Sequence, residues 1–120
     1  MMHSHWILDD DLNLIEVDLM TWARWLEEQD KRGEQNRRII RRTTFPDGTM
    51  VSTVFLGLNH NYGDGPPLLF ETMICGPDGA WQDYQMRYAT LESARAGHEI
   101  ARTRARQILM LDAMLEEPAR

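Results

Sequence analysis

The stretch LNHNYGDGPPLLFETM, residues 58–73, gathers much of the chain's candidate chemistry. Asn59, His60, Asn61 and Tyr62 offer donors and acceptors in a segment too long for a tight hairpin, and Gly63, Gly65, Pro66 and Pro67 give it fixed, unusual backbone angles. Such a loop can close over a ligand. Its Asn and Gly residues can equally serve turn conformations alone, with His60 bonding a backbone carbonyl. Glu71 follows inside the apolar run LLFETMIC, on one face with Leu69, Met73 and Cys75, and a carboxylate there needs a partner. Arg37, Arg38, Arg41, Arg42 or Arg87, on strands that can neighbour it, would make a structural ion pair. In the functional version these same arginines, joined by Arg95 and Arg102 from the last helix, line a cleft for an anionic ligand while Glu71 orients their guanidinium forks, with Arg37, Arg41, Arg87 and Arg102 as the anion contacts. His98, preceded by Gly97, lies on the buried stripe of that helix and is read first as a core histidine, and second as part of the ligand-binding set. No nucleophile stands at a diagnostic spacing from His60 or His98, so no catalytic residue is assigned.

Metal and redox chemistry find less support. Met1-Met2-His3 could wrap a square-planar Cu(II) or Ni(II) through a free amine, which is read as incidental, and no resident metal or cofactor is expected. Cys75 lacks a CxxC partner and reads as a small buried apolar side chain; being the single cysteine, it cannot form an internal disulfide. Trp6, Trp22, Trp25 and Trp81 fall at helix or strand spacing and read as core, although one exposed beside the arginines would stack on a base.

Composition bounds what these residues serve. With 13 basic and 19 acidic side chains in 120 residues the net charge is -6, which argues against a general affinity for nucleic-acid backbones. The length suits a single domain, residues 1–120, with one core. The lone cysteine, the absence of any apolar run near membrane-helix length and an opening without the regions of an export signal together predict a cytoplasmic protein with no membrane association.

The elements that must position the candidates read as an α+β fold. Residues 6–8 and 14–17 are short β-prone pieces around Asp9, Asp10 and Asp11. Asp18 suits the N-cap of a helix whose Leu19, Trp22, Trp25 and Leu26 repeat at helical spacing, and the polar tract EEQDKRGEQN ends it. Strands are predicted over residues 37–45, about 50–58, 68–75 and 81–88, with turns at PDGT and GPDGA. Both faces of the second strand are apolar or small, which places it in the middle of a sheet. The expected sheet is an antiparallel meander of four strands, with five as an alternative, carrying the N-terminal helix and a long C-terminal helix on one face. That last helix, residues 91–115 with Thr90 as N-cap, shows a stripe of Ala94, His98, Ala101, Ala105, Ile108, Leu109 and Leu115. At about 1.5 Å per residue it outreaches a four-stranded sheet of ordinary width, so its far half, QILMLDAML, is a candidate homo-oligomer contact.

Two stretches, VSTVFLGLNHNYGDGPPLLFETMI (51–74) and YATLESARAGHEIA (88–101), resemble a family of small uncharacterised proteins encoded by bacteriophages and prophages. The resemblance covers about half of the chain, and no functional residue is carried over from it. Where that family shows a short glycine-rich turn after the third strand, this chain has the longer CGPDGAWQ. What it implies is context: a viral accessory protein in the cytoplasm of a bacterial host. Together with the missing catalytic constellation, this gives as first expectation a non-enzymatic binding module that antagonises host defence by sequestering an anionic small molecule, such as a nucleotide signal, or by binding a host protein. A small nucleotide-directed enzyme using His60 or His98 with Glu71, and a structural or regulatory oligomer, are the alternatives.

Overall fold

In the computed structural model, which describes residues 5–116, the chain begins with a hairpin of β1 (Trp6–Leu8) and β2 (Leu14–Glu16). Asp9 closes its turn by accepting from the backbone N–H groups of Asp11 and Asn13, both at 2.9 Å. Asp18 then caps α1 (Leu19–Asp30), its carboxylate accepting from Thr21 N at 2.7 Å, as the sequence predicts. A short 3-10 turn, Gly33–Gln35, leads into the sheet.

The sheet is an antiparallel meander in the order β3 (Ile39–Thr44), β4 (Met50–Phe55), β5 (Phe70–Cys75) and β6 (Trp81–Tyr88). Its outer hairpins turn alike. At each, a Pro-Asp-Gly triplet puts glycine at positive φ, +94° at Gly48 and +84° at Gly79, and the Asp side chain accepts from the N–H two residues on. The hairpin of β1 and β2 stays a separate two-stranded sheet, so the meander has four strands. β4 is central, as its two-sided apolar pattern requires, yet it ends at Phe55 and not near Leu58. Gly57 adopts φ +76°, where a side chain would meet Trp22 Nε1 at 2.7 Å and Trp6 O at 3.3 Å, and its carbonyl turns to accept from Trp6 N. The chain thus leaves the meander to meet the N-terminal hairpin.

Thr90 caps α2 (Leu91–Glu116) by accepting from Ser93 N at 3.0 Å. The helix lies on one face of the sheet. One end of this layer packs Leu8, Trp25, Phe55, Leu69, Phe70 and Ala94; the other packs Val51, Ile74, Ala101 and Ala105. Small residues allow the close approach: a Cβ on Gly97 would lie 2.1 Å from Tyr88 Oη. The buried stripe follows the expectation at Ala94, His98, Ala101 and Ala105, and Ile108 and Leu109 are half-buried. Leu115 departs from it, being 83% exposed, because the helix has by then run past the hairpin turns. Leu69 departs from the strand alternation, since it precedes β5 and turns into the core. Trp25 is buried and Trp6 and Trp22 half-buried; His3 and the Trp81 side chain lie outside the described residues.

Candidate functional site

The two faces of the sheet separate the candidate residues. Under α2, His98 is fully buried, with Nε2 2.9 Å from Thr43 Oγ1 and Nδ1 2.7 Å from Thr53 Oγ1. Thr53 Oγ1 lies in turn 2.6 Å from Thr72 Oγ1. A neutral imidazole donates through one nitrogen and accepts through the other, so protons along this chain of hydroxyls run in a single direction. Burial holds the His98 pKa below its ordinary value, and the Arg41 guanidinium adds to the effect, with Glu99 opposing and Arg102 reinforcing it. Arg41 and Arg102 both pair with Glu99, at 2.6 and 2.9 Å, so these two arginines and His98 are brought together at the β3 side of the helix.

Among the described residues the opposite face carries no helix. The strand registers lay two rows across all four strands: Ile39, Val54, Glu71 and Arg87 in one, Arg42, Ser52, Met73 and Gln85 in the next. At about 4.8 Å between strands and two residues between rows, the patch spans roughly 14 by 7 Å. Glu71 is buried within it and accepts through Oε2 from Gln85 Nε2 at 2.8 Å and Arg87 Nε at 2.9 Å. The structural ion pair expected for Glu71 is thus made with Arg87. This fixes the Arg87 guanidinium plane by its Nε edge, and its terminal nitrogens make no hydrogen bond among the described residues.

Two shallow depressions of about 240 and 210 Å³ share Arg42 and Val54 and extend the patch towards Asn36 and Arg38. Arg42 and Arg38 are held only loosely, each 3.5 Å from an exposed carboxylate, of Glu34 and Asp30 respectively. Arg38 Nε is buried without a hydrogen-bond partner among the described residues.

The remaining candidates stand apart. Arg37 pairs with Asp10 beside the N-terminal hairpin, and its backbone N–H donates to Gln29 Oε1 at 2.7 Å. The 59–67 loop largely satisfies itself. Asn59 Oδ1 accepts from the N–H groups of Asn61 and Leu68, Asn61 Nδ2 donates to Pro66 O at 2.9 Å, and Asn61 Oδ1 accepts from Gly63 N at 3.0 Å. His60 uses its backbone N–H on Leu68 O, its ring makes no hydrogen bond among the described residues, and Tyr62 is 87% exposed. The single arginine cleft envisaged with Arg37, Arg41, Arg87 and Arg102 is therefore divided among three places, Arg37 beside Asp10, Arg87 beside Glu71, and Arg41 and Arg102 sharing Glu99. His98 and Glu71 point to opposite faces and form no acid–base pair.

Sequence reasoning set Arg38 and Arg42 in one cleft with Arg37, Arg41 and Arg87, did not keep them among the anion contacts, and passed over Ser52 and Val54 as site residues. The register shift between Ile39 and Arg41 is the reason: it puts Ile39 beside Val54 on the open face while Arg41 stays on the helix face, so strict alternation along β3 fails. Among the described residues no group of three or more His, Cys, Asp or Glu side chains could hold a metal ion, and no helix is long and apolar enough to cross a membrane. Compared with protein-family models, curated proteins and solved structures, the chain matches none of them.

Proposed function

We propose that the protein is a non-catalytic, phage-encoded binding module that takes an anionic, nucleotide-like small molecule on the open face of its sheet, and that it antagonises host defence by sequestering that molecule. The observation carrying this reading is the arrangement of Arg42 and Arg87 at opposite ends of two cross-strand rows, over a floor that includes Val54 and Met73. A floor of aliphatic and thioether groups suits a flat ring, and guanidinium groups at its edges suit phosphate oxygens. The unpartnered Arg38 Nε adds a donor that an oxyanion would satisfy. The resemblance of residues 51–74 and 88–101 to phage and prophage proteins supports the viral context.

The test is native mass spectrometry and calorimetry against a panel of linear and cyclic nucleotides, with the Arg42→Ala/Arg87→Ala variant alongside. One member of the panel should bind at fixed stoichiometry and be released unchanged, with affinity at least about tenfold lower for the variant, as expected for the loss of two charge-assisted contacts. Binding that survives the double substitution would remove the site from the open face. A chemically altered nucleotide would favour an enzyme, and a panel without binders would turn the search to a host protein.

A second reading, a homo-oligomer joined through α2, is favoured by a different observation. Met110, Leu111, Met114 and Leu115 are each more than half exposed, at 61, 58, 69 and 83%. A helix segment apolar on nearly every side is ordinarily covered.

A further inference from the structure

Two features of the overhanging end of α2 complement each other. The first is a groove of about 340 Å³ between the helix and the two Pro-Asp-Gly turns, lined by Ile74, Pro77, Ile108 and Leu109, with Asp47 and Asp112 as its carboxylates. The second is the outer stripe of Leu111, Met114 and Leu115, preceded by Arg104 and Arg106. Arg104, Arg106 and Asp112 enter no ion pair among the described residues, whereas Arg37, Arg38, Arg41, Arg42, Arg87 and Arg102 each have a carboxylate beside them. The groove is therefore apolar and acidic, while the helix that leads into the exposed stripe is basic.

Resting on the oligomer reading, we infer that the outer half of α2 docks on the same segment of a second copy of this chain in an antiparallel, two-fold arrangement, the stretch from Arg104 to Leu111 of each copy lying over the groove of the other. A two-fold axis near residue 108 would bring Arg104 of each helix opposite Asp112 of the other, because the two positions stand equally far on either side of it. The same chemistry excludes a parallel pairing, which would set Arg104 against Arg104 and Asp112 against Asp112. An unrelated partner has no claim on both halves at once. A second copy supplies the apolar Leu111 and the positive charge that the groove lacks, and receives the same in return.

Light scattering and sedimentation of the full chain test this. Wild type should sediment at twice the 14.0 kDa of the chain. Leu111→Asp/Met114→Asp should bring it to the mass of one chain with unchanged circular dichroism, since both side chains are exposed. Arg104→Asp and Asp112→Arg should each weaken self-association, by about tenfold or more in dissociation constant, and mixing the two variants should restore a mixed dimer. A wild-type chain that stays single across the micromolar range would overturn both the oligomer reading and this geometry. A dimer that survives Leu111→Asp/Met114→Asp, or a mixture that fails to pair, would overturn the geometry alone and leave an oligomer joined elsewhere.

Discussion

The two faces of one sheet are built on different principles. Beneath α2, polar atoms are enclosed and used up: His98, Thr43, Thr53 and Thr72 spend their hydrogen-bonding capacity on one another within an apolar layer. On the open face, polar atoms are arranged but not exhausted, with Arg87 aimed by Glu71 and Arg42 and Arg38 tied only to distant exposed carboxylates. A satisfied network in a dry layer specifies a fold, whereas oriented donors beside a half-buried apolar floor leave capacity for something else. The difference teaches where to look for function, namely away from the buried histidine. His98 attracts notice because it is a buried histidine, yet both its nitrogens are occupied.

Substitutions should separate the faces by what they damage. The largest loss of stability is expected from His98→Ala, which opens a cavity and removes one hydrogen-bond partner from each of Thr43 and Thr53, at about 4 kcal/mol in urea unfolding. Gly97→Ala should follow at about 2–3 kcal/mol, since the new methyl group meets the Tyr88 ring at the point of closest helix–sheet approach. On the open face Glu71→Gln should cost only about 1–2 kcal/mol, because Gln85 and Arg87 remain partly exposed and can turn to water. Its effect should be seen more in ligand affinity, through a misdirected Arg87.

The covered face should also carry a pH signature. Because the folded-state pKa of His98 is lowered from its ordinary 6.5, the unfolded chain takes up a proton more readily than the native one. Its contribution to stability is complete above pH 6.5 and declines as the pH falls below it, by at most about 1.4 kcal/mol per unit for one proton. His98→Gln should flatten that part of the curve, and equal slopes in the two proteins would place the acid sensitivity elsewhere. The smallest effect on folding is expected from Arg42→Ala, within about 0.5 kcal/mol, since its pair with Glu34 is long and solvated. A strong destabilisation there would mean that the open face is structural after all.

Much of the fold was legible because the signals were local. Asp18 and Thr90 cap the helices they precede, the Pro-Asp-Gly triplets turn the hairpins, and the two-sided apolar pattern of β4 places it inside the sheet. What escaped depended on events at single residues. Gly57 at positive φ ends the pairing of β4 early, and one irregularity between Ile39 and Arg41 exchanges which arginines of β3 face the helix. Alternation sets Arg41 and Arg42 on opposite faces but does not tell which of them a distant helix will cover, so only that choice had no sequence signal. The apolar tail of α2 was visible as a run, QILMLDAML, whereas the groove facing it needed both hairpin turns to be in place.

The most direct test of the open-face account is methyl-resolved NMR of the intact protein titrated with the nucleotide that binds in the panel. Val54 and Met73 report on the open face, and Val51 and Ile74 on the layer beneath α2. The account predicts saturable shifts at Val54 and Met73 that are lost in Arg42→Ala/Arg87→Ala, with Val51 and Ile74 nearly unmoved. Shifts confined to Val51 and Ile74, or an open face that stays silent while the ligand is bound, would contradict it.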